Sequence, residues 1–170
     1  YKLFKQSDRV PFNVSLYGSA DMNSQLKKSV YPGLKTSDRF SYTAQILASR
    51  SFSEKLSLEV APIFVRHNLQ DLNFTKTLTH NQLLFGMGGR YKLSKRLSLN
   101  MDYAYNFSKN KNSLYKNPLT IGVDIETGGH VFQLLFTNSR ASNDSSFLTE
   151  TTGDWSKGEI SFGFNIVRVF

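Results

Sequence analysis

Six ionisable side chains fall on the polar positions of segments in which polar and apolar residues alternate: Glu59, Arg90, Lys92, Asp102, Asp124 and Glu126. A period of two places all of them on one face of a β-sheet, near the short connections between strands. In a narrow lumen these charges would pair into a structural network, because buried charges need partners. In a wider barrel they would line a pore and tune its selectivity. The sequence favours the paired network.

Candidates for catalysis or metal binding are few. The histidines are His67, His80 and His130, and a hydrolase would need one of them as a base in contact with a nucleophile. His67 and His80 flank one long connection without a specific Ser or Asp spacing. A metal site would use Asp124, Glu126 and His130, but His130 falls on the opposite face at a turn. The sequence predicts no enzyme, metal site or cofactor, and a hydrolase at one rim is the residual alternative.

The composition excludes several classes of protein. A length of 170 residues suits one domain, and the absence of cysteine excludes disulfides and cysteine-ligated metal sites. The net charge of +8 is typical of some nucleic-acid-binding proteins. However, the lysines are scattered through polar segments, which indicates solvated loops and no nucleic-acid partner. No run of about 18 apolar residues predicts a membrane-spanning helix, but strands escape this test because only every second residue faces lipid.

The clearest strand pattern lies in residues 96–108, RLSLNMDYAYNFS. One face carries the apolar and aromatic side chains of Leu97, Leu99, Met101, Tyr103, Tyr105 and Phe107. The other face is uncharged or acidic, and the aromatic residues gather toward one end. This is typical of a membrane strand with an interfacial girdle. A soluble sandwich would more often carry Val, Ile and Leu inside and Lys and Glu outside.

The same alternation predicts strands elsewhere along the chain. The windows are residues 12–20, 40–49, 56–64, 81–93, 119–126, 130–138 and 159–170. With residues 1–7 as the end of a preceding strand, the chain supplies about nine strand segments, including the C-terminal one. Pro62 is unusual in a central strand and predicts a bulge.

The connections alternate in length. SRSFSEK, LSKR and ETGGH are short turns, whereas residues 21–38, 68–80, 108–117 and 138–156 are long and polar. This favours an antiparallel transmembrane β-barrel of the outer-membrane type over a sandwich. The sequence thus predicts a bacterial outer-membrane location, with the long loops extracellular and the short turns and C-terminus periplasmic.

The number of strand segments, and the direction of the first, bear on the N-terminal side of the chain. Single-chain barrels usually have an even strand count and both termini in the periplasm. Nine segments that begin on a downward strand break that rule. Residues 1–170 are therefore predicted to form a single barrel domain that lacks its N-terminal strands, with about ten to fourteen strands in the complete barrel.

Residues 121–139, IGVDIETGGHVFQLLFTNS, and residues 154–170, DWSKGEISFGFNIVRVF, carry a family resemblance. They resemble the uncharacterised outer-membrane β-barrel family of Bacteroidota, a domain of unknown function of the 5777 type. Residues 10–20 and 49–64 are similar to its general pattern, so the resemblance spans most of the chain. It implies an outer-membrane barrel with a longer N-terminal part, and no biochemical activity.

The alternating last strand is similar to the C-terminal signal that the barrel assembly machinery reads. Its aromatic and apolar residues would be Phe162, Phe164, Ile166 and Phe170. The predicted partners are this machinery during biogenesis, outer-membrane lipid and lipopolysaccharide, and protein partners in an outer-membrane complex.

Two functions remain open on the sequence alone. One is a porin-like passive or selective pore, in which the six charged side chains set what passes. The other is a non-conducting structural or scaffold subunit of an outer-membrane protein complex, which binds a partner through its long loops or lipid face. They differ at the lumen, which a pore keeps open and a scaffold can close with Glu59, Arg90 and Asp102.

Overall fold

The computed structural model describes residues 1–69, 80–110 and 113–168. These residues form one antiparallel sheet in which each strand pairs with the next along the chain. The strands are β1 (Lys2–Phe4), β2 (Asn13–Met22), β3 (Phe40–Ser51), β4 (Leu56–His67), β5 (Asn81–Lys92), β6 (Leu97–Asn106), β7 (Leu119–Glu126), β8 (His130–Thr137) and β9 (Ser161–Arg168). The prediction of nine antiparallel strands is confirmed.

The outer face of the sheet is apolar and exposed. On β4, Leu58, Val60 and Phe64 are exposed, whereas the alternate residues Ile63 and Val65 are buried. β6 repeats this pattern with exposed side chains of Leu99, Met101 and Tyr105. A continuous exposed belt of this kind suits the hydrocarbon of a bilayer. No helix in the described part of the chain is both long and apolar enough to cross a membrane.

Short and long connections lie at opposite rims, because consecutive strands are antiparallel. The short-turn rim holds residues 52–55, 93–96 and 127–129, and the long-loop rim holds residues 23–39 and 138–160. Gly128 has a φ of 67° in the turn between β7 and β8, a conformation that favours glycine. The predicted alternation is confirmed for these connections, whereas residues 70–79 and 111–112 of the other two predicted long connections lie outside the described residues. The side of the membrane that each rim faces stays a prediction.

The prediction of a bulge at Pro62 is wrong. The pairs Gln45↔Ile63 and Ala48↔Val60 keep one register on either side of it, and Pro62 lies opposite Phe85 on β5. Between the pairs Gln45↔Ile63 and Ala48↔Val60, the β3–β4 ladder lacks paired residues but does not change register, since proline has no N–H to donate. The register shift of the sheet lies instead between Lys2 and Phe4 on β1.

An apolar cluster lies on the inner face near the long-loop rim. It contains Ala61, Ile63, Val65, Leu84, Ala104 and Leu148, with Leu47 and Phe147 packed against it. Leu148 belongs to α1 (Asp144–Thr149), a short helix in the connection between β8 and β9. That connection, expected to be a polar loop, folds inward instead. The inward positions of Ile63 and Leu84 are apolar and pack under the helix.

The sheet is open, and β1 and β9 form its two edges. Unpaired backbone groups at such edges cost several kcal/mol each in hydrocarbon, so a membrane-spanning sheet must close. The further N-terminal strands expected from the sequence stay a prediction.

Candidate functional site

The first turn of α1 is anchored to the inner face of β2. The hydroxyl of Tyr17 donates a hydrogen bond to the carboxylate of Asp144. The Oδ2 atom of Asp21 accepts from the backbone N–H of Ser145 at 3.3 Å and from its hydroxyl at 2.9 Å. Two side chains of one strand thus fix the start of the helix.

The end of α1 is held by the buried side chain of His67. The hydroxyl of Thr149 donates to the carbonyl oxygen of Ser145 at 2.6 Å, so it accepts from Nε2 of His67 at 2.9 Å. In the neutral ring Nδ1 then carries no proton. It accepts from the hydroxyl of Ser41, also at 2.9 Å. These three contacts fix the tautomer of His67 and the position of the helix end.

The contact between Ser41 and His67 is the pairing that a hydrolase at the rim would require. In a catalytic triad, however, the second ring nitrogen is held by a carboxylate, which stabilises the charged imidazolium. Here that nitrogen bonds the hydroxyl of Thr149, and His67 is only 5% exposed beneath α1. The arrangement suits an anchor for the loop.

A cavity of about 470 Å³ lies between α1 and the short-turn rim. Its inward-facing walls include Ser49, Ser57, Glu59, Arg90, Asn100, Asp102 and Thr120. A smaller cavity of about 170 Å³ continues beneath Phe147 and Leu148 and shares Glu59 and Asp102 with the first. The two cavities thus form one concave surface that runs from the helix toward the short turns.

Four of the six charged residues from the sequence analysis lie close together on this inner face. Arg90 Nη2 lies 3.8 Å from Asp124 Oδ2, and Asp124 Oδ1 accepts from Gln133 Nε2 at 3.0 Å. Glu59 and Asp102 flank Gly88 on neighbouring strands. Within the described residues, neither of these carboxylates has an ion pair or a hydrogen bond.

The remaining candidates lie apart from the walls of these two cavities. Lys92 and Glu126 occupy the short-turn rim and are exposed. His130 lies on the outer face, where its ring is 6.4 Å from that of Phe132. Among the described residues, no group of three or more potential metal ligands lies together.

The residues of the expected assembly signal lie on the outer face of β9 as far as the structure describes them. Phe162, Phe164 and Ile166 are exposed, and the rings of Phe162 and Phe136 are 5.6 Å apart. Phe170 lies outside the described residues. Recognition of this strand by the assembly machinery stays a prediction.

Asn138 joins the two ends of the inward-folded connection. Its Oδ1 atom accepts from the backbone N–H of Leu119 at 2.8 Å. Its Nδ2 atom donates to the carbonyl oxygens of Asn117 and Gly153, each at 3.0 Å. One buried amide therefore ties the start of the connection to its end and to the neighbouring loop.

The residues that anchor α1 are not among the candidates predicted from the sequence. Tyr17, Asp21 and Ser41 share the inward face with Ser15 and Thr43, so strand parity alone could have marked them as lumenal. Their partners lie about 100 residues away or more in most cases, as in the bond between Asp21 and Ser145. Local spacing therefore carried no signal for the contacts themselves.

Asp154 provides a prediction for the outer part of this connection. Its pKa is lowered from 3.8 to about 2, because the hydroxyl and backbone N–H of Ser156 donate to it and Lys116 lies 3.3 Å away. A lowered pKa stabilises the fold above the ordinary value, and this contribution is lost as the pH falls toward about 2. We expect a carboxyl NMR titration to give a midpoint near the lowered value, and Lys116→Ala to raise it. An unchanged midpoint in that variant would show that the ion pair does not form in solution.

An open antiparallel meander with an exposed apolar outer belt, short turns at one rim and long loops at the other defines a membrane β-barrel domain. The chain belongs to the family DUF5777, described as a membrane bound beta barrel domain, whose family model matches residues 1–170. No curated protein and no solved structure gives a significant match to the chain. The family predicted from the sequence is confirmed, and the origin in Bacteroidota stays a prediction.

Proposed function

We propose that this protein is a passive, cation-preferring pore of a bacterial outer membrane. The supporting observation is the pair of carboxylates, Glu59 and Asp102, on the wall of the 470 Å³ cavity. Carboxylates without a cation or hydrogen-bond donor need water to remain charged. A lumen closed by a salt-bridge network would instead pair them. Water around an acidic wall favours the passage of cations.

The balance of charge supports the same preference. Among the described residues, Arg90 is the cationic side chain on the inward-facing wall of the cavity, and it lies beside Asp124. Arg50 also borders the cavity, but it occupies an outward position, with its guanidinium over the ring of Phe52. The acids Glu59 and Asp102 therefore dominate the field in the narrow part of the path. The inward-folded connection with α1 would form the constriction at the long-loop rim.

The family resemblance and the two unequal rims support the outer membrane as the location. In a barrel of the outer membrane, the short turns would face the periplasm, and α1 would lie on the extracellular side. Lipid, lipopolysaccharide and the barrel assembly machinery are the partners that this location implies. We propose transport and no catalytic role, because the ring nitrogens of His67 bond two hydroxyls.

The second candidate is a non-conducting scaffold of an outer-membrane complex. It is favoured by the apolar docking of α1, in which Leu148 is 6% exposed. A helix packed this way could close the lumen permanently, and the long loops would then bind a protein partner.

Single-channel recording of the full-length protein in planar bilayers tests the pore. A carboxylate at about 10 Å attracts a monovalent cation by about 0.4 kcal/mol in water, so two of them raise the local concentration of cations about fourfold. The double variant Glu59→Gln, Asp102→Asn should lose the cation preference, and Asp8→Asn in the β1–β2 turn should retain it. A silent bilayer with folded, heat-modifiable protein would exclude the pore and favour the scaffold.

A further inference from the structure

We propose that the cavity of about 470 Å³ between α1 and the short-turn rim is a binding site for a small zwitterionic solute of about the length of a dipeptide. Glu59 and Asp102 would receive its ammonium group, and Arg90 would receive its carboxylate. The inference rests on the proposed function, because it names the class of solute that the pore admits.

The ammonium position lies between the two acids. Gly88 separates Glu59 from Asp102 in the sheet register. A Cβ atom added to Gly88 would lie in ordinary contact with Asp102 Oδ2, at 3.6 Å, and with the Cβ of Glu59, at 3.9 Å, so the glycine leaves room for one small group beside the two acids. Strands are about 4.8 Å apart, which puts the backbones of the two acids about 10 Å apart. An ammonium group has three donors and can bond carboxylates on both sides.

The carboxylate position lies at Arg90. Its side chain is 40% exposed, and its contact with Asp124 is 3.8 Å, longer than a hydrogen bond. In the described part of the chain its Nε atom has no hydrogen-bond partner. Asp124 already accepts a hydrogen bond from Gln133. The N–H donors of the Arg90 guanidinium are therefore available to a solute. Such a group binds a carboxylate through two parallel hydrogen bonds.

The spacing of the two positions suggests the length of the solute. Arg90 is the next inward residue after Gly88, and alternate residues of a strand are about 7 Å apart. An extended dipeptide also spans about 7 Å between its charged ends. The hydroxyls and amide of Ser57, Asn100 and Thr120 on the same wall can bond its peptide group.

The test uses L-alanyl-L-alanine and two capped forms of it. C-terminal amidation removes the carboxylate with little change in size, whereas N-acetylation removes the ammonium group and also lengthens that end of the dipeptide. Binding to the full-length protein in detergent is measured by calorimetry, and block of the ion current is measured in bilayers. We expect each cap to weaken binding at least about tenfold, since each removes a charged hydrogen-bonding group.

Two variants assign the ends of the solute. The Arg90→Gln variant should bind the dipeptide and its amide with equal affinity. In the Asp102→Asn variant, the affinities for the dipeptide and for its N-acetyl form should differ less than in the unchanged protein. Lys92→Gln, at the rim of the same strand β5, should retain both discriminations. If Arg90→Gln does not fold, Arg90→Lys serves in its place, with weaker discrimination because an ammonium lacks the planar fork.

The outcomes separate this inference from the proposed pore. A conducting protein that binds all three compounds equally, or none of them, would overturn the zwitterion site and leave the pore intact. A non-conducting protein that binds the dipeptide with the expected dependence on Arg90 and Asp102 would support the site and overturn the pore.

Discussion

Leu148→Ala is expected to release α1 from the inner wall and to raise the single-channel conductance. Leu148 is 6% exposed and packs in the apolar cluster with Ile63, Val65 and Leu84. Truncation of a buried leucine to alanine costs about 2–5 kcal/mol. α1 has six residues, and a helix this short depends on tertiary packing. Hydrogen exchange of residues 144–149 should therefore accelerate by at least about tenfold.

Leu114→Ala is the matched control for this prediction. Leu114 is 75% exposed in the connection between β6 and β7, so its truncation should change neither hydrogen exchange in α1 nor conductance. If Leu148→Ala exchanges as slowly as Leu114→Ala, the apolar contact does not hold the helix. The polar bonds from Asp21 and His67 would then be the dominant anchors.

The strands could be predicted from the sequence because their signal is local. A strand with one lipid face alternates every two residues, and β7 begins and ends at the predicted residues, Leu119 and Glu126. α1 gave no such signal, since six residues are too few to establish a period of 3.6. Its burial depends on docking against strands far away in the sequence. The same docking explains why Ile63 and Leu84 occupy inward positions that alternation assigns to polar residues.

For the candidate site, the sequence predicted which face of the sheet each residue occupies, but not which residues meet. Parity placed Glu59, Arg90 and Asp102 on the inner face, because parity depends only on sequence position within a strand. Which of them meet depends on the register between strands, which no local pattern fixes. A shift of β5 by two residues would place Arg90 rather than Gly88 between the two acids. The observed register leaves the acids unpaired, and the proposed cation preference follows from that register.

Gly153→Ala is expected to destabilise the base of the inward-folded connection, and to lower stability more than Gly122→Ala or Gly129→Ala. A Cβ atom at residue 153 would lie 2.5 Å from the carbonyl oxygen of Glu159 and closer still to that of Asn138. Both obstacles are backbone atoms, so a side-chain rotation cannot relieve the overlap. Overpacking typically costs about 1–3 kcal/mol, and a backbone clash belongs at the upper end. Urea unfolding in micelles and limited proteolysis of residues 138–160 would measure the effect.

Alanine substitutions at two further glycines serve as controls. They show whether the loss of stability comes from the backbone clash at residue 153 or from replacing any glycine by alanine. Gly129→Ala should be nearly neutral, because no atom lies within 4 Å of its added Cβ. Gly122→Ala should fall between them, because its obstacle at 2.6 Å is the flexible end of the Leu135 side chain. A clash at Gly153 would also separate its carbonyl oxygen from Asn138, which bonds it at 3.0 Å. Faster hydrogen exchange in α1 should therefore accompany the lost stability in Gly153→Ala alone, whereas equal exchange in all three variants would show that the base of the connection does not position the helix.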